Sequence, residues 1–486
     1  MWWWLAACSP GVADLPDGWS VTVLPEMPHG VRIEVAAAGP FAIQCQADDD
    51  RWSASHGPDD ARDLQWIGLL LGETYLCDGW LDGRWSHFAF ATPAPSPDLP
   101  SPTITGQTAG WTLFNHVRAG EGQKIVLIDG RGRVRWHRYL EGDPNTGIES
   151  AFLSDSPVGP VVLVGGGEGY APALIRLDGT VAWSAGSSAG GGVFHHDAGW
   201  IPDETSVLGL SWSVNQANGR SWDGFALETV DVVTDTRTWE WNSQQAVDAG
   251  TLPWPSDDPD AYHANAVTWH PEDPDGLSVW ASVKRLHQIA AIDVATGAIR
   301  WKLGVGGDFT LLDAAGAPAD PAAWFYGQHA PEPHLVDPAG IWSVWVHDNG
   351  MDRPGALYSR VAELRVDVPA RTAAVAWSWT EPGWYEPVFG DVDLLDDGHV
   401  LVTMGHCSAC ADAPPDRVTT LVELDPSSGA VVWRAEMETP DEGGYRAARV
   451  DPAVFAPPAG ASGALPSARR RPTVAGEAAA GRHSTP

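Results

Sequence analysis

The sequence predicts an all-β protein: a six-bladed β-propeller preceded by a small N-terminal β-sandwich. Short apolar runs separated by turn residues fill the start of the chain, and a motif ending in Trp then recurs six times. Strong helical periodicity is nearly absent.

The first eight residues, MWWWLAAC, end in a lipobox-like LAAC. The stretch lacks the basic residues and apolar length of a complete signal. We read residues 1–8 as the end of a truncated lipoprotein signal, with Cys8 lipidated. The expected location is the periplasm or cell envelope, with a lipid anchor to the membrane. Four further cysteines fit export, as two disulfides: Cys45 with Cys77, and Cys407 with Cys410. The CSAC pair has no thioredoxin-like βαβ pattern around it, and a lone CxxC offers too few ligands for structural zinc.

Residues 15–92 contain WSVTVL, VRIEVAA, FAIQCQ, LQWIGLLL, TYLCDGWL and HFAFA. Such spacing of short strands predicts the sandwich. Residues 93–105 are Pro-rich and form a linker. The propeller is expected over 106–455. Its repeat is an apolar pair, an Asp, a turn, an apolar residue and a Trp, as in VLIDGRGRVRW, LIRLDGTVAW and AIDVATGAIRW. The repeats end at Trp136, Trp183, Trp239, Trp301, Trp377 and Trp433. Their spacing, with variable insertions, is that of propeller blades, where a large Trp near a strand end fills the wedge between neighbours. Residues 456–486 have little to bury and read as a disordered tail.

The formal charge is -34. A surface this acidic repels nucleic acid, and ARRRP, in the tail, is the one dense basic run. No window approaches the eighteen apolar residues of a membrane helix.

Histidines cluster between the repeats: His195 and His196 in HHD, His263 in DAYHAN, His329 in YGQHAPEPH, His347 in HDNGMDR and His406 in GHCSAC. Singly, each reads as a hydrogen-bonded loop residue. Asp348-Asn349-Gly350 reads as a hairpin turn, since Asn-Gly accepts positive φ. Pro331 and Pro333 exclude a helix or central strand and imply a stiff loop around His329. In a propeller, equivalent segments of successive blades converge on the central channel, so these residues would share one site.

From about Trp111 to Val450, these motifs in this order resemble the bacterial arylsulfate sulfotransferases, which use no nucleotide sulfate donor. The matching segments are HHD at His195, DAYHAN at Asp260, ASVKRLHQIAAIDVATGAIRWKLG at Ala281, GQHAPEP at Gly327, HDNGMDR at His347 and YRAAR at Tyr445. The resemblance implies a propeller with a histidine nucleophile in its channel, at His329. It also implies a ping-pong transfer of a sulfuryl group from an aryl sulfate to a phenol through a sulfohistidine, without cofactor or metal. His263 and His196 would share the catalytic work, and Asn265, His195 and a cation would hold the sulfuryl oxygens. The sequence departs from the family at Lys284, where the family has Arg. Lys keeps the charge and loses the bidentate fork. Arg285 and Arg353 are the alternative cations. Trp324, Phe325 and Tyr326 are expected to stack on the phenyl ring. Three other readings compete: a non-catalytic secreted propeller acting as scaffold, a quinoprotein suggested by AIDVATGAIRW, and a metal site built from the same histidines. No HxH or HExxH spacing supports the last.

Overall fold

The computed structural model describes residues 15–36, 38–56, 63–118, 122–140, 150–156, 159–165, 171–185, 194–201, 205–217, 220–254, 260–406, 418–438 and 442–455. Cys8, Cys407, Cys410 and the tail lie outside them.

Seven antiparallel strands between Trp19 and Ala91 form two sheets. One joins Trp19–Leu24, Met27–Val35 and Asp63–Ile67. The other joins Asp50–His56, Phe41–Ala47, Thr74–Leu81 and Arg84–Ala91. Alternate residues turn inward, so Ile33, Phe41, Trp66, Tyr75 and Phe88 share one core. Cys45 and Cys77 face each other in register and form a disulfide. That core runs on into the propeller through Trp136 and Val162. The buried Arg135 guanidinium pairs with Asp50 of the sandwich and Asp129 of the propeller. His29 and His137 meet ring to ring across the junction at 2.8 Å.

Six sheets follow among the described residues, each of four or five strands. We number them as blades 1 to 6 in chain order. The innermost strands of blades 2 to 6 are Ser150–Ser156, Phe194–Trp200, Ala264–His270, His329–Asp337 and Asp391–Leu394. Blade 1 takes its innermost strand, Ala447–Val450, from the far end of the chain. Blade 6 takes an outer fifth strand, Thr103–Gly106, from before blade 1. The ring is therefore closed by strands from both sides of the domain.

The repeated motif has a physical reading in every blade. The Asp of each motif (Asp129, Asp178, Asp231, Asp293, Asp367 and Asp425) accepts a backbone N–H of the turn that follows. The two outer strands then slip by one residue, and the extra residue is always the one before the Trp. This bulge adds twist to the blade edge. In four of the six blades the Trp indole donates to the next blade: Trp136 to the Leu177 carbonyl and Trp239 to that of Val294. Trp183 donates to the Asp235 carboxylate. Trp433 donates to the Gly130 carbonyl at 2.9 Å and so ties blade 6 to blade 1.

Two expectations change here. The segment around His329 is the innermost strand of blade 5, not a loop. Pro331 and Pro333 are tolerated because that strand is the edge of its sheet. Trp324, Phe325 and Tyr326 are buried in a core cluster with Trp301 and Trp342, so none presents a face to a ligand.

Trp433→Ala should cost about 3–5 kcal/mol, as for other fully buried indoles. Trp433→Phe should cost less, since only the hydrogen bond and part of the volume go. Urea unfolding followed by circular dichroism reads both, and equal losses would mean that the closing hydrogen bond matters as much as burial.

Candidate active site

The histidines come together at the start of the inner strands. His196, His263 and Ala330 occupy corresponding places in blades 3, 4 and 5, and all three have positive φ (58°, 46° and 43°). Each lies beside a register shift in its innermost strand. Non-glycine residues adopt this conformation at a cost of the order of 1 kcal/mol or more and concentrate at functional sites.

The rings form a chain. His195 Nδ1 lies 2.6 Å from His196 Nδ1, and the His196 ring stands edge-on to that of His263 at 4.9 Å between centroids. Tyr445 lies edge-on to both His196 and His329, at 6.2 and 5.6 Å. His263 Nδ1 is 2.5 Å from the Asp260 carboxylate, which fixes its tautomer with Nδ1 protonated.

The tautomer of His329 is fixed by Asn349. The Asn349 amide nitrogen donates to the carbonyls of Glu386 and Phe389, at 2.8 and 2.9 Å. Its oxygen must then face the ring, and His329 Nδ1 donates to it at 2.7 Å. The lone pair is left on Nε2. Neither the turn reading of Asn349 nor its composition points to this buried role. Gly350 at positive φ closes the same turn, and a Cβ there would sit 2.0 Å from the Tyr358 carbonyl oxygen.

Burial is the main cause that pushes these imidazoles down from the usual histidine value. His195 falls to about 3, His263 is lowered, and His196 and His329 fall well below the ordinary range. The Lys284 ammonium adds to the effect on His196, His263 and His329. Near neutral pH all are uncharged, so His329 Nε2 is a nucleophilic nitrogen.

Lys284 opens a short 3₁₀ turn, Lys284–Leu286, where the strand Ser278–Val283 ends. Its side chain is buried and Arg285 turns outward to solvent. The described residues provide no ion pair to Lys284, and burial lowers its pKa to about 8. Asp260, Glu386 and Asp352 favour its charge from a distance, and among the described residues none of them pairs with it.

Arg353 does not join this group. Its guanidinium is buried against the Asp348 carboxylate, the Ala322 and Trp324 carbonyls and the Tyr358 ring. Asp348 holds Arg360 as well, so both arginines brace a loop. Asn265 is buried, and its amide donates to the Gln328 carbonyl, one residue before His329. That contact positions the inner strand. Gly390 packs flat on the His347 ring, where a Cβ would lie 2.1 Å from a ring carbon.

Two features escaped the sequence. Trp212, from the long hairpin Ser206–Ala217 and Arg220–Asp231, stacks on His195 at 4.1 Å and remains 37% exposed. The buried pair Asp197 and Arg446, at 3.0 Å, floors the histidine cluster. Arg446 also donates to the Asn265 carbonyl, and Asp197 accepts from Val267 N–H. The adjacency of Asp197 to His196 in HHD, and of Arg446 to Tyr445 in YRA, was the one available signal.

A family profile described as arylsulfotransferase (ASST) matches residues 101–446. No curated protein sequence matches the chain. Among solved structures it is similar to TolB from Acinetobacter baumannii, at 12% identity over 79% of this chain and 81% of that one, with a TM-score of 0.38. It is also similar to the periplasmic gluconolactonase PpgL of Pseudomonas aeruginosa, at 13% identity over 85% and 99%, with a TM-score of 0.31. A protein of unknown function from Bacteroides caccae gives 11% identity over 68% and 94%, with a TM-score of 0.38.

Inorganic sulfate should bind near Lys284 while the lysine is charged, below about pH 8. A pH one unit above the pKa leaves about a tenth of the ammonium, so affinity should fall about tenfold between pH 7 and 9. Lys284→Arg should hold its affinity across that range. Calorimetric titration checks both, and a flat wild-type profile would remove Lys284 as the anion's partner.

Proposed function

We propose, for a chain that belongs to the arylsulfotransferase family, a ping-pong transfer in which His329 carries the sulfuryl group between two phenols. The family supports aryl sulfotransferase activity, and aryl sulfate and phenol are the small-molecule substrates it implies. The observation that carries the finer reading is the Asn349 contact, which leaves the lone pair on Nε2 of a neutral, buried His329.

In the first half-reaction Nε2 attacks the sulfur of an aryl sulfate. The N–S bond forms, the S–O bond to the aryl group breaks, and the electron pair leaves on the phenolate oxygen. Lys284, buried and cationic, holds the sulfuryl oxygens as negative charge gathers on the leaving group. His195 and His196 line the same group. In the second half-reaction a phenol oxygen attacks the sulfohistidine, the N–S bond breaks, and its electron pair returns to Nε2. His263, with Nδ1 bonded to Asp260, has Nε2 free to take the acceptor's proton. It returns that proton to the next leaving phenolate, so the cycle closes without net change in the enzyme. Trp212, exposed on one side and stacked on His195, supports the aryl ring. The Cys45–Cys77 disulfide supports an exported protein.

The direct test incubates the protein with 4-nitrophenyl sulfate and phenol and follows 4-nitrophenolate. His329→Ala should abolish turnover and any acid-labile protein-bound sulfate. Undiminished turnover in that variant would end the nucleophile assignment. Asn349→Ala should lower kcat about tenfold or more with little change in KM, since it loosens ring and tautomer without removing a substrate contact.

Trp212→Ala should raise KM for aryl sulfates about 3- to 10-fold and leave kcat within a few-fold, as loss of one stacking face predicts. Unchanged KM would place the aryl ring elsewhere.

A further inference from the structure

The channel has a second half. The histidines lie at or beside the start of the inner strands, and the Asp197–Arg446 pair lies just beyond them. Past that pair the same strands line a cavity of about 490 Å³, from Asp197 to Trp200, Ala266 to His270, Ala330 to His334 and Asp391 to Asp393. None of the histidines of the candidate active site lines it.

Not every acidic group in this cavity has a basic partner. Asp197 is neutralised by Arg446, and Glu272 is paired with His270. Glu332 accepts the Leu394 backbone N–H and sits 3.3 Å from His334. Asp391 and Asp393 have no such cation. Each has a buried Oδ2 without a hydrogen-bond partner, and Asp391 is only 2% exposed. Arg449 acts on Asp393 from a distance, but its guanidinium is bonded to Glu423 and Thr112. Two carboxyl groups, each with a buried oxygen that no donor reaches, against a low-dielectric wall leave room for a cation.

Among the described residues this cavity brings together no group of three ligands for a bare metal ion. Metal ligands must bring their atoms close together, and the one described group of three that does so is Asp397, His399 and Glu423, outside this cavity. Much of the remaining wall is apolar, including Trp200, Leu208, Val267 and Pro331. A charged end met by two carboxylates and an apolar body met by indole and aliphatic side chains describe one chemical class.

We propose that this half of the channel binds an organic ammonium ion, held by Asp391 and Asp393 and bedded on Trp200. The site is separate from the histidine cluster and does not rest on the sulfotransfer reading. Burial raises the Asp391 carboxyl to about 7, with Asp197, Glu332 and the neighbouring Asp393 opposing its ionisation and Arg446 favouring it. The Asp393 carboxyl is also raised, by burial first and then by Asp391 and Glu332. Binding therefore strengthens as pH rises through this range, and loss of any charge on His334 acts in the same direction.

The test titrates the full chain with benzylammonium chloride by calorimetry at about pH 6 and 8, with benzyl alcohol as the neutral isostere. The amine should bind at least about tenfold more tightly than the alcohol, the factor expected of one desolvated charge contact. It should also bind more tightly at the higher pH. Asp391→Asn and Asp393→Asn should each reduce amine affinity about tenfold or more, with folding checked by circular dichroism. Should one variant misfold, the other still decides. Equal binding of amine and alcohol, unchanged affinity in a folded Asn variant, or no heat at millimolar amine would each overturn the proposal.

Discussion

A blade buries its two faces only against its neighbours, so none of the six sheets is satisfied until the last meets the first. Here that meeting is made three times over. Thr103–Gly106 adds to blade 6, Ala447–Val450 supplies the innermost strand of blade 1, and Trp433 donates to Gly130 between them. The central channel exists because the ring closes. Arg446, carried one residue before the closing strand, lands beside Asp197 of blade 3, far away in sequence. The closure that holds the fold thus also lays the floor of the histidine site.

The channel then sets the chemistry through dehydration. Imidazoles that would titrate near neutrality in water are kept uncharged by burial, and Lys284 is pulled toward neutrality by the same effect. Hydrogen bonds do the finer selection. Asn349 and Asp260 each fix a tautomer, and the carbonyls of Glu386 and Phe389 fix Asn349. Below the Asp197–Arg446 pair the same dehydration acts on carboxyl groups, which are pushed up and each keep a buried oxygen that no donor reaches. One channel therefore presents a cationic, imidazole-rich half and an acidic half, separated by a single buried ion pair.

Much of the fold was legible because it is local. An Asp that caps a turn, a bulge residue and a Trp recur within about ten residues; the Asp and the bulge do the same work in every blade, and the Trp indole bonds to the next blade in four of them. The site was legible in its members. His196, His263, His329 and Lys284 meet as their order along the repeats implied. Their surroundings were not. Asn349 looked like turn filler, and Trp324, Phe325 and Tyr326 looked like a ligand platform although they fill a core. Arg353 looked like an available cation although Asp348 holds it.

The sequence by itself determined the all-β class, the repeat and its phase, the Cys45–Cys77 pairing and the residue types that reach the channel. These depend on patterns of two to a dozen residues, where backbone geometry leaves few choices. Only the tertiary structure decided which nitrogen of His329 keeps its lone pair, and which aromatic ring stays open to solvent. It also decided which cation is buried beside the histidines and where the channel is divided. Each of those depends on a partner from another blade, and a side chain's hydrogen-bond partner and burial are properties of the closed ring.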